Sequence, residues 1–126
     1  MLLHLLLAVA LGAGIGYQRE RAGKTAGLRT YILVSSGAAL FTIASIYGFS
    51  GAVDPSRVAA GVVVGIGFIG AGVIFRGEEG IEGITTAASI WVTAAIGLAA
   101  GAGLYLISVI TALITIGILM IPKIRG

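Results

Sequence analysis

Residues 83–122, GITTAASIWVTAAIGLAAGAGLYLISVITALITIGILMIP, run for 40 positions without one charged side chain. A helix needs about 20 apolar residues to cross ~30 Å of hydrocarbon, so the stretch is too long for one crossing and right for two. The break is expected at Ala99-Ala100-Gly101-Ala102-Gly103, where small residues and two glycines permit a tight turn. Working outward, uncharged runs of 18 residues at 1–18, 24 at 30–53 and 18 at 58–75 repeat the pattern. The 8 basic and 5 acidic residues of the 126-residue chain all fall in four windows, 19–29, 54–57, 76–82 and 123–125. The expected fold is therefore an all-α integral membrane protein. It is one transmembrane domain over 1–126, a bundle of about five helices with spans near 2–17, 31–49, 58–75, 85–99 and 104–121.

Composition supports this and excludes other classes. With 58% hydrophobic residues and a mean hydropathy of +1.11, a soluble domain of this size is ruled out. The 21 glycines show no triplet period and come with only two prolines, so close helix packing in lipid explains them better than disorder or collagen. No cysteine and no asparagine occur, which removes disulfides, thiolate metal sites and N-glycosylation. The net charge of +3 and pI near 9.7 do not signal nucleic acid, because the basic residues flank apolar spans. Seven of the eight, Arg19, Arg21, Lys24, Arg29, Arg76, Lys123 and Arg125, fall on one side of a five-span arrangement, with Arg57 opposite. That bias places the N-terminus outside and the C-terminus in the cytoplasm of a plasma membrane. Met1–Leu3 lacks the positive flank of a secretory signal, so the first span is read as retained.

Two motif matches carry no chemistry. Gly65-Ile66-Gly67-Phe68-Ile69-Gly70 fits a dinucleotide fingerprint but lies within a span, without the preceding strand such a site needs. Gly23-Lys24-Thr25 imitates the end of a phosphate loop, yet Gln18 stands where its first glycine belongs. Gly61, Gly65, Gly67, Gly70 and Gly72 of span three are instead read as helix-packing residues, and Gly12/Gly16 and Gly97/Gly101 repeat the four-residue spacing. Packing within the chain is the first expectation for these pairs, and a homodimer the second.

No ionisable residue is expected at the centre of a span, which weakens a carrier mechanism. His4, the only histidine, belongs to the outer end of span one. The spans carry hydroxyls, among which Thr86, Ser89 and Thr93 form one stripe on span four, suited to bonding a neighbouring helix or to lining a narrow wet path. Asp54-Pro55 is a helix start, the carboxylate serving as cap. The charges of windows 19–29 and 76–82 are expected at the inner surface as loop ion pairs or a docking face. Glu78, Glu79 and Glu82 are read as solvated carboxylates rather than a metal site. No acid–base pair, metal-ligand set or Ser-His-Asp arrangement is present, so no catalytic residue, metal or cofactor is assigned.

Gly16-Tyr17-Gln18-Arg19-Glu20-Arg21, Ala26-Gly27-Leu28-Arg29-Thr30, Asp54-Pro55-Ser56-Arg57, Gly65 to Gly72 and Gly83-Ile84-Thr85-Thr86-Ala87-Ala88 resemble successive blocks of the MgtC/SapB membrane-protein family, over about residues 5–105. The resemblance implies a prokaryotic plasma-membrane protein linked to low-magnesium adaptation and survival inside host cells. It implies a regulator rather than a magnesium transporter, with the proton-translocating ATP synthase and other membrane proteins as partners. The family's polar motif residues fall here on Glu20, Arg29, Thr30, Asp54, Arg57, Arg76, Thr85 and Thr86. Many relatives carry a C-terminal cytosolic domain. Here the sequence ends at Gly126, so the expectation is a membrane domain without one. A small oligomeric transporter or channel is the competing reading.

Overall fold

The computed structural model describes residues 1–48, 54, 56–77 and 80–122, and for 75–77 and 80–82 the backbone only. Five helices carry the fold: α1 (Leu2–Arg21), α2 (Leu28–Tyr47), α3 (Ser56–Gly72), α4 (Ile84–Gly101) and α5 (Tyr105–Leu119). The architecture is all-helical apart from one short hairpin, and α1, α2 and α4 are long and apolar enough to cross a membrane. At 1.5 Å per residue the 20-residue α1 and α2 reach ~30 Å, while α3 and α5 reach ~26 and ~22 Å.

Several boundaries depart from the sequence reading. The first helix continues through Gln18-Arg19-Glu20-Arg21, which the charge pattern assigns to a loop. Basic side chains suit the negative end of a helix, so charge there does not stop it. What stops it is Gly23 at φ +71°, with the Gly23 amide bonded to the Glu20 carbonyl and the Lys24 amide to the Arg19 carbonyl, a Schellman turn. The same device ends α4: Gly103 at φ +87° bonds the Ala100 carbonyl and Leu104 that of Ala99, at the break expected from the small residues. Between α3 and α4 the sequence suggests only a polar connection. Instead β1 (Phe75–Gly77) and β2 (Gly80–Glu82) pair antiparallel, Phe75 opposite Glu82 and Gly77 opposite Gly80. Two three-residue runs separated by two positions have the spacing of a tight hairpin, a pattern too short to stand out by periodicity.

Packing centres on α1, α2 and α4. The buried positions of α1 are Ala8, Gly12, Ile15, Gly16 and Arg19, one stripe at three- and four-residue spacing. Gly12 and Gly16 lie so close to α2 that an added Cβ would come within 2.6 Å of the Tyr31 carbonyl oxygen and 2.8 Å of Leu28 Cα. From α4, a Cβ on Gly97 would collide with the Ser35 carbonyl of α2, and one on Gly101 would stand 2.6 Å from that of Ala39. Ile15, Tyr31, Ile90 and Ile96 fill the core, and Ser35 ties α2 to the Ala8 carbonyl of α1 at 2.7 Å. In lipid no hydrophobic force separates helix from solvent, so this close backbone contact is what selects the arrangement.

The glycines of span three behave differently. At Gly61, Gly65, Gly67 and Gly72 an added Cβ would meet nothing among the described residues within 4 Å, and only Gly70 touches a neighbouring helix, at Ala87 of α4. Close packing between described helices therefore runs through Gly12/Gly16 and Gly97/Gly101, while Gly61, Gly65, Gly67 and Gly72 are exposed, the first two along an open groove beside α2. Gly97→Ala and Gly101→Ala should each lower stability in detergent by about 1–3 kcal/mol, the usual cost of overpacking. Gly61→Ala and Gly65→Ala should change it by less than about 0.5 kcal/mol. Reversible unfolding in mixed micelles measures both.

Candidate functional site

At the end of the bundle where α1 stops and α2 and α4 begin, a cation is enclosed. Arg19, in the last turn of α1, is only 3% exposed. It continues the face of Gly12 and Gly16, and the closeness that those glycines allow carries its guanidinium between helices. Nη2 donates to Thr86 Oγ1 at 2.7 Å, and Nε is buried with no acceptor among the described residues. Thr86 is the third residue of α4 and is buried, whereas Thr85 beside it is exposed. A buried charge with so few partners is costly, so the network around it matters.

That network is a chain of hydroxyls. Tyr31, fully buried at the start of α2, bonds Ser89 Oγ. Ser89 gives its single proton to the Thr86 carbonyl at 2.8 Å, which makes Tyr31 the donor of the pair. Thr93 in turn donates to the Ser89 carbonyl at 2.7 Å. The span-four stripe thus faces α1 and α2 and is engaged at every member. Several other span hydroxyls bond their own helix: Thr42 to the Ala38 carbonyl, Ser108 to that of Tyr105 and Thr115 to that of Thr111.

The family-motif residues are dispersed around this centre rather than gathered in it. Glu20 is exposed and its Oε1 accepts the Leu28 backbone N–H at 2.9 Å, so the carboxylate of one helix caps the positive start of the next. A Cβ at Gly27 would meet that carboxylate, so a side chain there would displace the cap. Arg29 is exposed and Thr30 half-buried in the first turn of α2. Asp54 and Arg57 are exposed at the start of α3, near the opposite end of α2. Asp54 Oδ1 accepts the Ser56 amide at 3.0 Å and the Ser56 hydroxyl at 2.7 Å, the cap expected from sequence. The Ser56 hydroxyl, then its amide, hold the Asp54 carboxyl below its ordinary value. Arg76 lies in β1, but its side chain, that of Glu82, and residues Glu78, Glu79, Pro55, Lys123 and Arg125 fall outside what is described.

Arg19 and Tyr31 are the members that sequence reasoning passed over. The signal for Arg19 was available: positions 8, 12, 15, 16 and 19 share one helical face, provided the helix is allowed to run on into the charged window. At the other end of the bundle His4 packs its ring on Tyr105, centroids 5.2 Å apart, the packed alternative for that residue. Between α2 and α3 lies an apolar groove of about 570 Å³, bordered by Leu33, Gly37, Phe41, Gly61, Gly65 and Ile69. Its walls hold no charged group.

Known proteins resemble this chain closely. The profile of the MgtC family matches residues 5–124. The chain is 49% identical over 122 residues to YhiD of Escherichia coli strain K12, covering 91% of this chain and 56% of that protein. It is 41% identical over 126 residues to SrpB of Synechococcus elongatus, at 90% and 69% coverage, and 46% identical over 102 residues to MgtC of Salmonella typhimurium, at 81% and 43%. The chain thus spans little more than half the length of YhiD and less of MgtC. No solved structure matches it.

Thr86→Val should cost about 1.5–3 kcal/mol, the range for hydrogen bonds to charged groups, rather than the ~0.6 kcal/mol average for neutral interhelical bonds in membranes. Adding Arg19→Met removes the stranded cation, so the double variant should lose less than the sum of the single losses. A double-mutant cycle on unfolding free energies reads the coupling.

Proposed function

This chain belongs to the MgtC family, and from that premise we propose that it is a non-enzymatic regulator in the plasma membrane of a prokaryote, acting by contact with other membrane proteins during adaptation to low magnesium. The observation that carries this reading is the state of the α4 stripe. Thr86, Ser89 and Thr93, the groups best suited to line a solute path, are occupied with Arg19, Tyr31 and their own helix inside a closely packed interface. A conduit through the α1–α2–α4 core would have to break those bonds and part helices in near-backbone contact.

The arrangement in the bilayer follows the charge. Arg21, Lys24 and Arg29 gather exposed at the end of the bundle where α1 stops, which supports a cytoplasmic position for that end and an N-terminus outside. All five helices cross, α3 and α5 being short enough to need local thinning of the bilayer or help from their flanking residues. The contact surface has two parts: the exposed basic rim, and the outward glycines of α3, which leave a partner helix, including one from a second copy, room to come close. The ATP synthase that the family resemblance brings in is one candidate partner.

Transport is the second reading, and the name of the E. coli relative, "Putative magnesium transporter YhiD", speaks for it. Two experiments separate them. In proteoliposomes under Mg²⁺, K⁺ or H⁺ gradients the chain should produce no flux above empty vesicles, and saturable flux would overturn the regulator. In native membranes, affinity capture should bring down a defined membrane partner. Arg29→Ala should weaken that capture with insertion intact, because Arg29 is exposed and makes no bond that holds the fold among the described residues. Glu20 is a poorer probe, since its loss also uncaps α2.

A further inference from the structure

Among the described residues, no carboxylate stands against Arg19 or the start of α4. Arg19 is 97% buried, its Nη2 donates to a neutral hydroxyl, and its buried Nε has no acceptor among the described residues. Its hydrogen-bond partner, Thr86, stands in the first turn of α4, whose N-cap is Gly83, and no side chain caps that end. The first amides of a helix have no intrahelical acceptor and stand at the positive end of its dipole. Two independent positive features therefore converge on one place. Of the described carboxylates, Glu20 is turned to the Leu28 amide and Asp54 to Ser56, so neither balances Arg19. The carbonyls at the end of α1 offer only partial compensation, and those of Arg19 and Glu20 already accept the Lys24 and Gly23 amides.

We propose that Arg19, Thr86 and the N-terminus of α4 form a binding site for a phosphate-type oxyanion, supplied either as the headgroup of an anionic phospholipid or as free phosphate. A guanidinium fork and helix-terminal amides are the donors such a group takes, and a phosphate oxygen would give Nε its missing acceptor. The site lies where headgroups lie, at the end of the helices and beside the exposed basic residues Arg21, Lys24 and Arg29. The inference stands apart from the regulator reading, since a transporter could hold the same anion.

The test uses the full chain in uncharged detergent at fixed ionic strength, with inorganic phosphate and short-chain phosphatidylglycerol titrated separately and the unfolding temperature followed. A ligand that binds only the folded state raises that temperature in a saturable way. A rise with lipid alone identifies a headgroup site, and a rise with both identifies phosphate itself. Arg19→Lys, which keeps the charge and loses the fork, and Thr86→Val should each weaken the affinity about tenfold, corresponding to ~1.4 kcal/mol. Arg21→Ala, at an exposed cation bonded to Tyr17, should leave it within about twofold. No saturable shift with either ligand in the unmodified chain overturns the proposal. So does equal weakening by Arg21→Ala, which would mean diffuse attraction to the basic rim.

Discussion

Backbone-to-backbone approach through glycine is the constraint on which this molecule rests. At Gly12, Gly16, Gly97 and Gly101 there is no room for even a methyl group between helices. Because lipid is as apolar as the side chains it surrounds, association must come from van der Waals contact and interhelical hydrogen bonds, and both grow as backbones close in. The three helices so joined, α1, α2 and α4, make the core. Packed against them, α3 and α5 expose most of their large apolar residues, Phe68, Leu106 and Leu113 among them.

The same closeness creates the polar centre. Residues that continue a glycine face are carried into the interface whatever their chemistry, and on α1 the next such residue is Arg19. Once inside, it needs partners, and the α4 hydroxyl stripe supplies one at Thr86 while Tyr31 closes the chain of bonds from α2. Function reads differently in that light. A stripe that looks like the lining of a path is, in the folded chain, hydrogen-bonded within the joint between helices. Among the described residues, Arg21, Lys24, Arg29 and Arg57 are exposed cations that another molecule can reach.

How much of this was legible in the sequence varied with the kind of signal. Uncharged runs located the helices because hydrocarbon tolerates few charges, and Gly103 marked the α4–α5 break because small residues and glycine suit a tight turn. The helix α1 runs on past its uncharged run for the converse reason: charge reports distance from the bilayer centre, not where hydrogen bonding of the helix stops. The burial of Arg19 is hidden in the sequence for the same reason, since a residue read as part of a charged connection has no helical face. Spacing could not tell which glycine series packs inside the chain. Gly61/Gly65 and Gly97/Gly101 have the same period, and only the fold separates an outward face from an inward one. Of the motif residues, Thr86 joins the buried centre, while Thr85 next to it points away, as neighbouring helix positions must.

The absence of native cysteine makes the central claim, that α4 turns Thr86 onto a closed interface with Arg19, directly measurable. Single cysteines placed by Thr85→Cys and Thr86→Cys can be labelled with a water-soluble maleimide in detergent-purified protein. The account predicts ready labelling at 85 and protection at 86, with protection at 86 lost on unfolding. Equal, rapid labelling of both positions in the folded protein would contradict it.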